Sequence, residues 1–219
     1  MFHALANKRG FTLTELLVAM GLSAIVMAAI GYMYHTQQKS YLVQENLAAA
    51  QQNLRSAMYF MEREIRMAGC DPTQNANPKP GILTANNNTI NFTLDITNTA
   101  GTGNPDGLVD GPNENVTYSL GDGDGDGDND LLRTGNLLAE NIDALDFVYL
   151  NSAGTPTATF AQIQSVQVTI VARTGRADPG YTDTNDYRNQ QGTIILAAQN
   201  DRFRRKQLDT TIKLRNPRD

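Results

Sequence analysis

The chain has 219 residues, 19% charged and 40% apolar, and its formal net charge is −5. This acidic balance argues against a generic nucleic-acid binder, which presents excess cations to phosphates. The single cysteine, Cys70, excludes an intramolecular disulfide and a cysteine-rich zinc site. His3 and His35 are the only histidines, so Ser-His-Asp and Cys-His constellations have almost no imidazole to use, and we predict no enzyme activity.

The first predicted element is an apolar run of 24 residues, 11–34, in which Glu15 is the only charge. About 20 apolar helical residues cross the hydrocarbon core of a bilayer, so the run predicts a transmembrane helix. The leader before it, residues 1–10, carries Lys8 and Arg9 as its only charges. Cations beside a span favour the cytoplasmic side. We therefore expect a cytoplasmic N-terminus and a single pass through the inner membrane.

The junction between the leader and the apolar run reads KRGFTLTELLVAM. A secretory signal peptide is cut after its apolar region, but here the small residue, Gly10, comes before that region and is followed by Phe11. Glu15 is the fifth residue counted from Phe11. The string resembles the type III signal of type IV pilins and type II secretion pseudopilins. The resemblance implies that a prepilin peptidase cuts between Gly10 and Phe11 and methylates the new N-terminus. The alternative is an uncleaved signal anchor.

Glu15 is a carboxylate inside a membrane segment, which costs on the order of 2.5 kcal/mol or more when the group is ionised. The start of a helix favours an anion by about 0.3–1 kcal/mol, and the new α-amino group lies at the same end. The resemblance implies that Glu15 neutralises the amino terminus of a neighbouring subunit during assembly. The alternative is that Glu15 only caps its own helix.

The helix is predicted to continue over residues 35–70, because no proline interrupts this part of the chain. Gly69 and Pro72 end the pattern. Apolar residues recur every three or four positions, at Val43, Leu47, Ala50, Leu54, Ala57, Met61, Ile65 and Ala68. This stripe predicts a helix face that packs on a folded domain, with a heptad coiled coil as the alternative.

Residues 71–219 are enough for one globular domain, which we expect to be periplasmic or extracellular. Apolar and polar residues alternate in five segments, which include Phe92, Tyr118, Phe147, Val168 and Ile212. Period two predicts half-buried antiparallel strands. The stretch 174–192 is interpreted as a long surface loop that is either mobile or ordered by a partner. The sequence thus predicts an α+β, type IV pilin-like fold, with a long N-terminal helix packed on an antiparallel sheet domain.

Three later segments refine the resemblance: YFMEREIRMAGCDP, LLAENIDALDFVYL and DRFRRKQLDTTIKLRNPRD. They are similar to PilW-type minor pilins, which are related to the J-type minor pseudopilins of type II secretion. The resemblance implies a minor pilin that works with other minor and major pilins, the inner-membrane assembly platform and a tip adhesin. It would initiate a pilus and lie at its tip on the surface of a Gram-negative bacterium. A J-like pseudopilin and a membrane-anchored periplasmic calcium-binding protein are the alternatives.

The segment GDGDGDGDNDLL, from Gly121, is strongly acidic. Its five carboxylates repel one another, so we expect the loop to need a cation to fold, and Ca²⁺ takes six to eight oxygen ligands. The spacing begins like an EF-hand, but the twelfth position is Arg133, where a Glu is needed. The hypothesis is a looser Ca²⁺ loop, and the alternative is an acidic loop without an ion; no other cofactor is predicted. The candidate ligands are Asp122, Asp124, Asp126, Asp128 and Asp130.

A basic run near the C-terminus consists of Arg202, Arg204, Arg205 and Lys206. Four cations in five residues could contact phosphates, but the run adjoins a predicted edge strand, where solvated cations commonly prevent aggregation. We expect solvated cations rather than a nucleic-acid site. Cys70 is interpreted as a small residue at the helix end, not as a nucleophile.

Overall fold

The computed structural model describes residues 10–217. One helix, α1 (Leu13–Arg66), is followed by ten strands and a 3₁₀ turn (Phe160–Gln162) between the sixth and seventh strands. The strands are β1 (Ile82–Ala85), β2 (Thr89–Thr93), β3 (Asn115–Gly121), β4 (Asp130–Arg133), β5 (Asn136–Ala139), β6 (Ile142–Leu150), β7 (Ser165–Arg173), β8 (Tyr187–Arg188), β9 (Ile194–Leu196) and β10 (Arg205–Lys213). The fold is α+β, as predicted.

The chain divides into two compact units between Glu45 and Asn46. In the first unit, the large apolar side chains from Phe11 to Tyr34 are 57 to 94% exposed. The helix α1 is long and apolar enough to cross a membrane. None of the residues in its most apolar stretch is buried. The predicted transmembrane segment is therefore helical and carries its apolar side chains on the outside.

In the second unit, α1 contributes one face to a hydrophobic core. The predicted stripe is buried from Ala50 onward, whereas Val43 and Leu47 are half-buried. The buried helix residues are Ala50, Leu54, Ala57, Met58, Met61 and Ile65. All of these except Ala50 pack with sheet residues of the same unit rather than in a coiled coil.

The helix ends at Arg66, two residues before the end of the predicted stripe. The following turn is tight, because the N–H groups of Met67 and Ala68 donate to carbonyls only three residues back. Gly69 then has a φ of +77°, and a Cβ there would lie 2.5 Å from the carbonyl oxygen of Asn216. Glycine is therefore required at the point where the chain leaves the helix.

The strands form three antiparallel sheets: β1–β2–β3–β4–β5, β10–β7–β6 and β8–β9. Each of the five predicted alternations is a strand, namely β2, β3, β6, β7 and β10, and β10 lies at a sheet edge as expected. The other strands have two to four residues and were not predicted.

A polar clamp attaches α1 to the five-stranded sheet. The Tyr118 hydroxyl of β3 donates to Glu64 Oε2 at 2.5 Å, and Arg133 of β4 donates to both Glu64 oxygens at 2.9 to 3.2 Å. Tyr118 belongs to the apolar core, whereas Glu64 and Arg133 are half-buried, so polar contacts as well as packing hold the helix against the sheet.

The stretch 174–192, interpreted as a loop that is mobile or ordered by a partner, is instead fixed to the domain. Asp183 at its centre is fully buried, accepts hydrogen bonds from Tyr187 and Asn185, and pairs with Arg205. The same stretch contains β8. The sequence interpretation was wrong because these anchors come from side chains that composition does not reveal.

Candidate functional site

Thr12 and Glu15 form a reciprocal cap at the start of α1. The Thr12 backbone N–H and hydroxyl each donate to Glu15 Oε2 at 2.8 Å, and the Glu15 N–H donates to Thr12 Oγ1 at 3.3 Å. This is a capping box, which satisfies N–H groups that have no partner within a helix. Sequence reasoning singled out Glu15 but missed Thr12, although the spacing Thr-x-x-Glu was the available signal.

The cap uses one of the two carboxylate oxygens. Glu15 Oε1 has no hydrogen-bond partner among residues 10–217. The structure therefore contains the self-capping interaction that the sequence left as an alternative, and it leaves one oxygen for a further donor. The pairing of Glu15 with a neighbouring subunit stays a prediction.

The proposed cleavage junction lies just before this cap. Gly10 and Phe11 precede the helix and are exposed, Phe11 by 94%. The basic residues Lys8 and Arg9 lie outside the described residues. Where the chain is described, the Gly10–Phe11 junction is non-helical and exposed, as a peptidase substrate requires; the cleavage itself stays a prediction.

The acidic loop lies between β3 and β4, and the structure brings three of its five carboxylates together. Oxygen atoms of Asp122, Asp124 and Asp130 all lie within 4.8 Å of one another. Asp130 is fully buried and accepts from the N–H groups of Gly123 at 3.0 Å and Asn141 at 2.9 Å. Asp122 and Asp124 are exposed.

The other two candidate ligands are engaged differently. Asp126 is exposed and accepts from the Asp128 N–H at 3.1 Å. Asp128 pairs with Arg173 of β7. Burial raises the pKa of Asp128, and the arginine offsets only part of that effect. The carboxylates thus divide into a convergent group of three, one exposed side chain and one ion pair.

Backbone N–H groups hold the acidic loop together. Asp122 accepts from Gly125 at 2.6 Å and from Gly127 at 3.1 Å, and both glycines have positive φ. The expectation that the loop needs a cation to fold overlooked these donors. Three carboxylates are half or fewer of the oxygens that Ca²⁺ takes, so backbone or water oxygens would have to complete a site.

The basic run is divided between internal ion pairs and exposed cations. The Arg205 side chain is 2% exposed and pairs with Asp143, Asp183 at 3.1 Å and Asp201 at 2.7 Å. Hydrogen bonds from Arg205 are the main cause of a lowered pKa at Asp201. The expectation of four solvated cations was therefore wrong for Arg205.

Arg204 is also engaged within the domain. Its guanidinium lies 4.2 Å from the centre of the Tyr181 ring and pairs with Asp178 at 2.8 Å. Arg202 and Lys206 are exposed. Two of the four cations are thus committed to internal partners, which weakens the case for a phosphate-binding patch.

Cys70 is half-buried just beyond the helix end. Burial raises the pKa of its thiol, and the nearby carboxylates of Asp95 and Asp71 raise it further. A thiol with a raised pKa is a poor nucleophile because the thiolate is the reactive form.

A capped N-terminal helix with an exposed apolar segment, followed by a domain of antiparallel sheets, defines a protein with a pilin-like fold. Comparison with family profiles identifies two matches: "Type IV Pilus-assembly protein W" over residues 74–216 and "Prokaryotic N-terminal methylation motif" over residues 5–31. The chain belongs to the PilW family of type IV pilus-assembly proteins, which confirms the resemblance inferred from the sequence.

Among solved structures, a type IV-like pilin from Thermus thermophilus is similar to this chain. The two are 13% identical with a TM-score of 0.49, over 77% of this chain and 97% of the other. No curated protein matches the sequence.

Proposed function

We propose that this chain is a minor pilin, cut after Gly10 by a prepilin peptidase, that takes part in the initiation and tip complex of a type IV pilus. The observation that carries the proposal is the capping box at the start of an exposed apolar helix, in a chain of the PilW family. Cleavage would place an α-ammonium group on Phe11, four residues before Glu15.

The free oxygen of Glu15 gives this ammonium group a partner in the next subunit. Ionised groups in a bilayer are costly unless they are paired, so a cross-subunit pair removes a penalty from both helices. Because the cap occupies only Oε2, Glu15 can hold its own helix start and still present Oε1 and its charge to a neighbour.

Glu15→Gln separates the assembly role from the capping role. Glutamine also serves at this position of a capping box, but it carries no charge. In a strain that lacks the native gene, we expect both Glu15→Gln and Glu15→Ala to be processed normally but to fail to restore pili. Thr12→Ala, which weakens the cap and keeps the charge, should restore them. Full restoration by Glu15→Gln would show that Glu15 only caps its helix.

The family implies contacts with other pilins and with the assembly machinery. We propose that these include minor and major pilins, the inner-membrane platform and a tip adhesin, with the N-terminus in the cytoplasm of a Gram-negative cell before assembly. Immunogold labelling of sheared pili tests the position of the subunit. Label at pilus ends is expected, and label spread along the shaft would contradict a tip role.

The J-like pseudopilin alternative differs in its deletion phenotype. Loss of a pilus-initiating subunit removes pili and leaves the export of folded proteins intact. Blocked export with normal pili would instead assign the chain to secretion.

Calcium binding by the acidic loop is a separate proposal, supported by the convergence of Asp122, Asp124 and Asp130. Calorimetric titration of the full-length protein with Ca²⁺ should give heat that is lost in Asp124→Asn and kept in Asp209→Asn, an exposed acid of β10. The absence of heat and of any change in melting temperature would rule the site out.

A further inference from the structure

A buried carboxylate without a cation lies on the outer face of the three-stranded sheet. Asp146 of β6 is only 7% exposed. Asn189 donates to its Oδ2 at 2.8 Å, and this is its one hydrogen bond from the described residues. No salt bridge within residues 10–217 reaches it. Burial raises the pKa of this carboxyl, and the Asn189 hydrogen bond offsets only part of the effect.

Two other buried acids of the domain, Glu114 and Asp183, are better satisfied. Glu114 accepts five hydrogen bonds, from backbone N–H groups and the Thr97 hydroxyl, and Asp183 pairs with Arg205. The pKa values of Glu114 and Asp183 are lowered, because their hydrogen bonds outweigh burial. A buried charge costs several kcal/mol unless it is paired or well hydrogen-bonded. Asp146 therefore has fewer hydrogen bonds than Glu114 and lacks a cation such as the one that Arg205 supplies to Asp183.

Asp146 lines a cleft of about 460 Å³. Its walls include Asn87 from the turn between β1 and β2, Thr157 from the segment after β6, and Thr193 from the β8–β9 hairpin. Asp146 Oδ1 has no hydrogen-bond partner among the described residues and is not enclosed by protein. The free oxygen thus belongs to an open cleft rather than to the packed interior.

The Asn189 amide, the one group of the wall that bonds to Asp146, is already committed. The Asn189 side chain donates to Asp146 and accepts from the N–H groups of Gln191 and Thr193, both at 3.0 Å. These three bonds fix the amide and keep it from rotating toward Oδ1. Asn189 therefore does not serve Oδ1, and the open cleft gives a donor from outside the chain access to it.

We propose that this cleft receives a lysine or arginine side chain from a neighbouring protein subunit, whose charged head pairs with Asp146 Oδ1. A cation is favoured over a neutral hydroxyl because the buried carboxylate of Asp146 lacks a compensating positive charge. A lone carboxylate is a poor match for Ca²⁺, which takes six to eight oxygens. The inference that the neighbour is another pilin rests on the proposed function. The inference that the cleft takes a cation does not depend on it.

Binding is tested on isotope-labelled full-length protein in detergent, so the result does not depend on pilus assembly. The probes are blocked tripeptides with a central Arg or Lys, and a central Gln as the neutral match. The Arg and Lys peptides should produce saturable NMR shifts at the Asp146 carboxyl and the Asn189 amide. Asp146→Asn should weaken their binding about tenfold or more, while Asp209→Asn should not change it.

Two results would overturn the proposal. One is the absence of a saturable shift with the charged peptides, and the other is an equal response to the Gln peptide. Titration with N-acetylglucosamine is included, and a response to the sugar alone would assign the cleft to saccharides and refute the cation.

A purely structural role of Asp146 is tested by melting temperature without any peptide. Asp146→Asn keeps an acceptor for Asn189 and removes the buried charge, so it should melt no lower than the native protein. Asp146→Ala removes the acceptor as well and should melt lower. A clear drop for Asp146→Asn would show that the charge is already compensated within the chain, which contradicts the proposal.

Discussion

At the residue scale, the buried Arg205 binds three carboxylates, two of which are distant from it in sequence. Arg205 joins Asp143 of β6 to Asp183 and Asp201 in the segments before β10. Removing one partner of a buried ion pair typically costs about 3–5 kcal/mol, because the remaining charge is left uncompensated. The network is therefore sensitive to loss of the arginine.

We expect Arg205→Ala to lower the free energy of unfolding by about 3–5 kcal/mol. Arg202→Ala is the matched control, since this neighbouring arginine is exposed, and its effect should stay within about 0.5 kcal/mol. Thermal and urea unfolding of both full-length variants in the same detergent measures the difference. Equal stability of the two variants would contradict the structural role of Arg205.

Glu114 provides a prediction of pH dependence. Burial alone would raise its pKa, but hydrogen bonds from Ile96, Thr97 and Gly111 lower it below the usual range. A carboxyl with a lowered pKa in the folded state stabilises the protein above its unfolded pKa, and this stability is lost as the pH falls through the folded value.

Glu114→Gln should therefore lower the free energy of unfolding by about 1–3 kcal/mol at neutral pH. The difference from the native protein should shrink as the pH falls from the unfolded pKa of about 4.3 through the lower pKa of the folded carboxyl. Urea unfolding across this pH range measures it, and Glu140→Gln, an exposed acid, is the control. A difference that grows toward low pH would show that the sign is wrong.

At the element scale, periodicity predicted the long helix and five strands because each has one apolar face toward the core. The short strands β1, β4, β5, β8 and β9 are too brief to show a period. They form through pairing with neighbours, and pairing is a nonlocal property. Asp146 alternates with the core residues Leu145 and Phe147 but is buried as well, because the β8–β9 hairpin contacts β6 and Asn189 bonds to the carboxylate.

The buried face of α1 is tested by a pair of substitutions. Met61 is fully buried and Tyr59, two residues earlier, is 62% exposed. Met61→Ala should lower the free energy of unfolding by about 2–5 kcal/mol, because it leaves a cavity between the helix and the sheets. Tyr59→Ala should have a much smaller effect. A reversed order of the melting temperatures of the two variants would mean that the helix presents a different face to the domain.

At the scale of the whole molecule, the chain combines a helix segment with exposed apolar side chains and a domain with its own core. The N-terminal methylation motif could be predicted from the sequence because its residues lie close together along the chain. The acidic loop was recognised by composition, but which of its carboxylates converge depends on the β3–β4 pairing and on Arg173. The cleft around Asp146 depends on segments far apart in the chain, which no local pattern shows.

The most direct test of the central claim is mass spectrometry of the native protein recovered from sheared pili. We predict a chain that begins at Phe11, carries one N-terminal methyl group and retains the whole apolar segment. A chain that still begins at Met1, or one released without residues 11–34, would contradict the assignment as a processed minor pilin.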